Sequence, residues 1–387
     1  MTPIDKIASV GNQSDATMLR VSEIDLLRFF AAMLVVLFHY TFRGHAANNY
    51  SLTAYPEIAF TTQYGYLGVE LFFLVSGFVI MMTASSGSLQ KFVASRVSRL
   101  YPAFWVCCAT TFVVILSFGG DRFSANPAQF FLNMTMLNEF FNVKSIDGVY
   151  WSLAVELKFY FLVLLALLFR QIDRAQWFLG FWLMCSVVLV WLPVPRLNSA
   201  LMVDYSPYFI GGAVCFLAHR DGWSLVKGVV IATALVLALR ATVVSAIGLE
   251  KVYNVPFDPV VMATIVGVFF VVMILVASKK TSSVLRGNWA LLGALTYPLY
   301  LLHQNIGYIL LNALHTRVNS YLALLLTIVL ALFASYAVHR LIEKRFGKRL
   351  RVLLERLLSK LNVRGQEQQG NAILPKKSAS GDDSPSF

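Results

Sequence analysis

Ten apolar blocks of about bilayer-crossing length run through this chain, at residues 24–42, 65–84, 101–118, 149–169, 177–194, 203–218, 223–240, 258–277, 289–314 and 320–341. A helix needs about 20 predominantly apolar residues to cross the hydrocarbon core, because each residue advances it by only about 1.5 Å. In lipid every backbone polar group must be bonded internally, so repeated blocks of this length read as helices. Charged residues make up 13% of the chain, against roughly a quarter in soluble domains, and the mean hydropathy is +0.67. The expectation is an all-α, polytopic integral membrane helix bundle of about ten transmembrane helices. A weaker apolar stretch, 126–142, holds Asn133, Asn138 and Glu139 and suits an interfacial or re-entrant segment.

Ten crossings leave both termini on one side. With span-end residues counted in the loops they adjoin, that side carries 23 of the 32 Lys and Arg residues and the opposite loops carry 7. The positive-inside rule therefore puts both termini in the cytoplasm. The net charge of +12 follows from the same bias. It does not imply nucleic acid, because no basic groove with interleaved aromatics lies outside the blocks. Residues 1–22 read as a cytoplasmic segment without the apolar core of a signal peptide, and 23–342 as the membrane domain. Residues 343–361 read as a basic amphipathic helix on the membrane surface, and 362–387 as a disordered tail. The long loops 43–64 and 119–148 face outward, where an extracytoplasmic substrate would be met. Cys107, Cys108, Cys185 and Cys215 sit inside apolar blocks without ligand spacing and read as small hydrophobes. No metal site is expected.

A charge at bilayer depth costs about 2.5–3.5 kcal/mol on insertion scales, so a polar residue inside a block is terminal, paired or functional. Arg28 and His39 are eleven residues apart in the first block. Eleven steps of about 100° leave roughly 20° beyond three turns, so the two share a helix face, roughly 16 Å apart along the axis. Such a face suits a long anionic ligand held by its head at Arg28 with its far end at the imidazole. Equally, Arg28 can snorkel or pair with Asp25, and His39 can be a satisfied core histidine. Glu70, in GVELFFLVSGF at 68–78, reads as a buried carboxylate with a cationic partner or as a cavity residue.

Arg96 and Arg99 are three residues apart in the loop RVSRLYP, before Pro102 opens the third block. They make a phosphate clamp or a positive-inside anchor. Ser152, Glu156 and Tyr160 recur every four residues on one face of the fourth block. Thr296, Tyr300, His303 and Gly307 line a face of the ninth, where Pro298 is expected to interrupt the helix and free backbone groups. Two intramembrane histidines and two carboxylates at similar depth favour a polar, watered cavity.

In their order along the chain, Arg28-x10-His39, GVELFFLVSGF, RVSRLYP, WSLAVE at 151–156 and YPLYLLH at 297–303 resemble the landmarks of the acyltransferase 3 family. These are bacterial membrane O-acyltransferases, and the resemblance covers about residues 22–342. It implies transfer of an acyl group, commonly acetyl, from cytoplasmic acyl-CoA to a hydroxyl of a cell-surface carbohydrate, at the bacterial inner membrane. It implies His39 as the catalytic residue and Arg28, Arg96 and Arg99 as donor-binding. Glu156 and His303 match motif positions and are expected at the catalytic site, with Glu70, Ser152, Tyr160 and Tyr300 as further cavity residues. Acyl-CoA is expected as a substrate, with no tightly bound cofactor. The acceptor is expected to be a carbohydrate or lipid-linked glycan, and no appended hydrolase-like domain is expected in the chain.

A sugar hydroxyl is a poor nucleophile, and an imidazole can take its proton as it attacks a thioester. Glu156 or Glu70 is expected to orient that imidazole. An acyl-histidine intermediate is the alternative. The competing class is a polytopic permease or lipid-linked glycan flippase, since intramembrane charges also mark transport paths. Against it, the chain has no internal repeat of halves. A receptor or scaffold leaves His39 and His303 without work.

Overall fold

The computed structural model describes residues 21–47, 49–281 and 287–373, with side chains as far as 360. Among the described residues every regular element is helical. The main helices are α1 (Ser22–Phe38), α2 (Gly68–Ala84), α3 (Leu89–Phe118), α4 (Trp151–Leu168), α5 (Ala175–Trp191) and α6 (Ser206–Asp221). They continue as α7 (Leu225–Tyr253), α8 (Pro259–Ala277), α9 (Ala290–Leu302), α10 (Gln304–Leu314), α11 (Ser320–Val338) and α12 (Lys348–Ile373). Counting continuous helical segments, eight among the described residues are long and apolar enough to cross a membrane. The chain is a polytopic helical membrane protein.

Two of the ten predicted blocks take a different form. The sixth is α6, only 16 residues long and buried from Ser206 through Ala218. The ninth is broken into α9 and α10 at His303, not at Pro298, which lies inside α9. The segment assigned to a loop before Pro102, with Arg96 and Arg99 on one side of a helical turn, is continuous helix. Ser88 caps α3, its side chain accepting from the Lys91 N–H, and the helix runs unbroken through Pro102 to Phe118. Arg96 and Arg99 therefore ride on a rigid element.

The core of the bundle is a glycine contact. A Cβ at Gly77 of α2 would run into the Phe209 carbonyl oxygen of α6, and one at Gly212 into the Leu74 carbonyl oxygen of α2. Without a hydrophobic drive between helices in lipid, close backbone approach through small residues is what associates them. Helix α1 packs between α2 and α9, with Gly293 of α9 set directly against Asp25.

The stretch 126–142 forms no span. It folds as a short helix, Pro127–Asn133, and a 3-10 turn, Asn138–Phe141. Buried Asn133 closes the loop by donating to the Lys144 carbonyl and accepting from the Ile146 N–H. Phe131, Phe140 and Phe141 stay exposed on it.

Beyond α11 the chain continues as a π-helix, His339–Gly347, into α12, and both pack on α3. The tail expected to be disordered from Asn362 thus begins in helix. Its remainder, 374–387, lies outside the described residues, as does the N-terminal segment up to residue 20.

Candidate active site

Three cavities follow one another through the bundle, each sharing walls with the next. The first, of about 310 Å³, is lined by Arg28, Arg96, Arg99, Glu156 and Tyr160. A neck of about 50 Å³ comes next; Arg28, Ser76, Glu156 and Tyr297 belong to both spaces, and Ser152 and Tyr300 complete the neck. Val69 and Tyr300 are shared with the third cavity, of about 400 Å³, which His39 lines together with Glu70. The Ser152–Glu156–Tyr160 stripe of α4 therefore runs from the neck into the arginine chamber. The Arg28–His39 face of α1 runs the full length of the passage.

In the arginine chamber Arg96 donates from Nη2 to Thr83 Oγ1 at 3.2 Å and Ser95 Oγ at 3.0 Å, and its guanidinium lies 6.0 Å from the centre of the Tyr160 ring. Among the described residues its buried Nε has no hydrogen-bond partner. Two hydrogen-bonded pairs form the neck: Ser76 donates to Glu156 Oε1 at 2.8 Å, and Ser152 Oγ meets Tyr300 OH at 2.7 Å. Glu156 thus belongs to the neck and the arginine chamber and lines no part of the His39 cavity.

His39 is the first residue of a π-turn, His39–Arg43, in which α1 ends. Such turns break the regular ladder and recur at functional sites. His39 Nδ1 lies 2.8 Å from the Val35 carbonyl oxygen, and His303 Nδ1 lies 2.8 Å from that of Tyr300. A carbonyl only accepts, so both rings carry their proton on Nδ1. His303 Nε2 then has a lone pair, and it lies 3.3 Å from His39 Nδ1, the ring centroids 4.9 Å apart at 76°. It shares the His39 Nδ1–H with Val35, and His39 Nε2 keeps its lone pair. The neighbour placed to orient the His39 ring is therefore His303, in place of the expected Glu156 or Glu70. Carboxylates at those positions fall on other parts of the wall, which residue spacing along separate helices could not reveal.

Residues that sequence reasoning passed over hold His303 in place. Tyr40 OH donates to the His303 carbonyl at 2.8 Å, its ring filling the space where Gly307 has no Cβ. Asp147, just before α4, accepts from the Asn305 N–H at 3.0 Å and so caps the start of α10 beyond the break. Asn305 in turn donates to the Ile146 carbonyl at 2.9 Å. Burial pushes the Asp147 carboxyl up to about 6, against the opposing pull of the Asn305 and Val149 N–H groups. Arg43 also lines the His39 cavity, donating from Nη1 to Tyr253 OH at 2.9 Å. The signals were present: a cation four residues after His39, and a lone acid between an apolar loop and WSLAVE. Among the described residues no cluster of His, Cys, Asp and Glu could hold a metal ion.

A guanidinium-rich chamber and a histidine pair of fixed tautomer, set along one helix with a polar neck between them, are the build of an intramembrane group-transfer enzyme. The chain belongs to the acyltransferase 3 family, whose acyltransferase domain matches residues 21–340. It is similar to an O-acetyl transferase of Shigella phage Sf6, 22% identical over 83% of this chain and 95% of that one. It is also similar to ORF330 of Acidianus two-tailed virus, which carries an acetyltransferase name, at 24% identity over 72% of this chain and 80% of that one. Nodulation protein 10 of Rhizobium leguminosarum bv. viciae is 27% identical over 49% of this chain and 56% of its own length. No solved structure matches. The protein is a membrane O-acyltransferase.

Proposed function

We propose that this enzyme carries an acyl group, acetyl in the first instance, from cytoplasmic acyl-CoA to a hydroxyl of a carbohydrate on the outer side of a bacterial inner membrane. The observation that carries the reading is the run of cavities along α1, with three guanidiniums at one end and the His39–His303 pair at the other. Arg28, Arg96 and Arg99 suit the phosphates of CoA, since guanidinium forks match phosphate oxygens. The amide-bearing arm of the donor lies along the neck, where Ser76, Glu156, Ser152 and Tyr300 offer polar partners. The positive-inside bias supports an arginine chamber at the cytoplasmic side, with both termini.

In the His39 cavity the His39 Nε2 lone pair takes the proton of the acceptor hydroxyl as its oxygen bonds to the thioester carbonyl carbon. The carbon–sulfur bond then breaks, and the departing thiolate takes that proton from His39. Throughout, His39 Nδ1–H stays donated to Val35 and His303, and both contacts strengthen while the ring is cationic. The test supplies purified, membrane-reconstituted protein with acetyl-labelled CoA and a surface-glycan extract, and surface glycans are compared by mass spectrometry with and without the gene product. Label appearing on glycan is the expected result. Release of CoA without labelled product, or no use of acetyl-CoA at all, overturns the reading.

A further inference from the structure

Resting on the reading of His39 as the base, we propose that Glu70, Tyr66 and Arg43 form the acceptor subsite and select an uncharged, hydroxyl-bearing ring over an anionic one. The starting point is unmet hydrogen bonding. Buried side-chain atoms without a partner among the described residues include Arg43 Nε, Tyr66 OH and Glu70 Oε2. All three residues line the His39 cavity. A buried polar atom left unpaired costs about 1–3 kcal/mol, so three in one cavity mark where the polar atoms of a ligand belong. They come from separate elements: the π-turn after α1, the 3-10 turn Gln63–Leu67 and the first turn of α2.

Their chemistries complement a polyol. A carboxyl group offers acceptor oxygens, a guanidinium donates and a phenol does either, while each sugar hydroxyl both donates and accepts. Trp151 and Tyr205, ring centroids 5.5 Å apart, add aromatic faces to the same cavity for the C–H face of a ring. Its volume of about 400 Å³ is at the small end for ligand sites, so it takes a terminal sugar unit and not a long stretch of glycan. Burial sets the selection. The cavity that Glu70 and Asp204 also line offers one guanidinium, Arg43, already bonded to Tyr253. A carboxylate on the acceptor would lose its water there with little to replace it, which costs far more than burying a hydroxyl.

The probes are methyl glucoside, galactoside and mannoside and their matching methyl uronides, which differ only in exchanging CH₂OH for a carboxylate. Donor-free binding is read by saturation-transfer NMR, and transfer with labelled acetyl-CoA. At least one neutral hexoside should bind and accept acetyl, with its uronide poorer by about tenfold or more. Glu70→Gln should raise the acceptor KM roughly 10- to 100-fold while the donor KM moves less than about twofold. Tyr66→Phe should move the acceptor KM in the same direction by less. A uronide equal to its hexoside, no neutral hexoside bound, or an unchanged acceptor KM in both variants overturns the subsite. Binding without donor does not need His39. Normal hexoside binding with no transfer would therefore fault the catalytic reading and leave the subsite standing.

Discussion

A carbonyl oxygen can only accept, and that fixes the state of both histidines. Val35 and Tyr300 each draw a proton onto Nδ1, which leaves His39 Nε2 basic and His303 Nε2 an acceptor. His39→Ala should therefore cut acyl transfer by about 10²–10⁴-fold, the range of a positioned general base, with residual rate from substrate positioning. Monodispersity in detergent separates this from a collapsed fold. A well-folded His39→Ala with wild-type transfer would move the chemistry elsewhere. In the proposed mechanism His303 acts through His39, so His303→Ala should cost less, roughly 10- to 100-fold in kcat for a lost charge-assisted hydrogen bond. His303→Gln retains an acceptor oxygen and should recover part of that loss. Equal loss in both variants would make His303 a packing residue and not a positioning one. At this scale the sequence pointed to both histidines, through spacing in one case and a polar stripe in the other. Their contact was hidden because it joins α1 to the α9–α10 break across 264 residues.

Helix boundaries decide how these residues meet, and here the sequence was legible unevenly. The bilayer demands long apolar runs, so eight spans could be read from composition alone. The departures are local and obey backbone chemistry. Ser88 starts α3 early because its hydroxyl satisfies an orphan N–H, which an apolarity scan does not see. Pro298 removes one donor but α9 tolerates it, and the break falls where Asp147 and Tyr40 supply outside partners for backbone groups. The π-turn at His39 leaves no signature in the apolar pattern. The α2–α6 pair leaves only a lone Gly77 and the Gly211–Gly212 pair in the sequence, which no apolar pattern connects, yet it holds the bundle at its tightest point. Gly212→Leu should overpack that contact and destabilise the protein by about 1–3 kcal/mol or more, seen as a lower detergent melting temperature. Gly228→Leu, at a position open to space, is the control and should melt like the wild type. Equal melting of the two variants would mean that the α2–α6 approach is not what limits stability.

On the scale of the whole molecule, the proposed route would separate the two substrates by the membrane itself. Arg28, Arg96 and Arg99 gather at the end where α1 begins, and His39 with its cavity lies at the end where α1 stops. If the donor is held by its phosphates at the first end and reacts at the second, the two substrates need never share a compartment. Proteoliposomes test this directly, with the fraction of each orientation measured by protease access to the C-terminal tail. Acetyl-CoA should support transfer only when supplied on the side of the termini, to a hexoside supplied on the opposite side. Arg96→Ala with Arg99→Ala should raise the donor KM by roughly tenfold or more, since each charged hydrogen bond contributes about 1.5–3 kcal/mol, and should leave the acceptor KM alone. Transfer with both substrates confined to the side opposite the termini would close the through-passage route. Unchanged donor saturation in the double variant would instead leave the route open and return Arg96 and Arg99 to a topological role, as the positive charges that hold this end of the bundle in the cytoplasm.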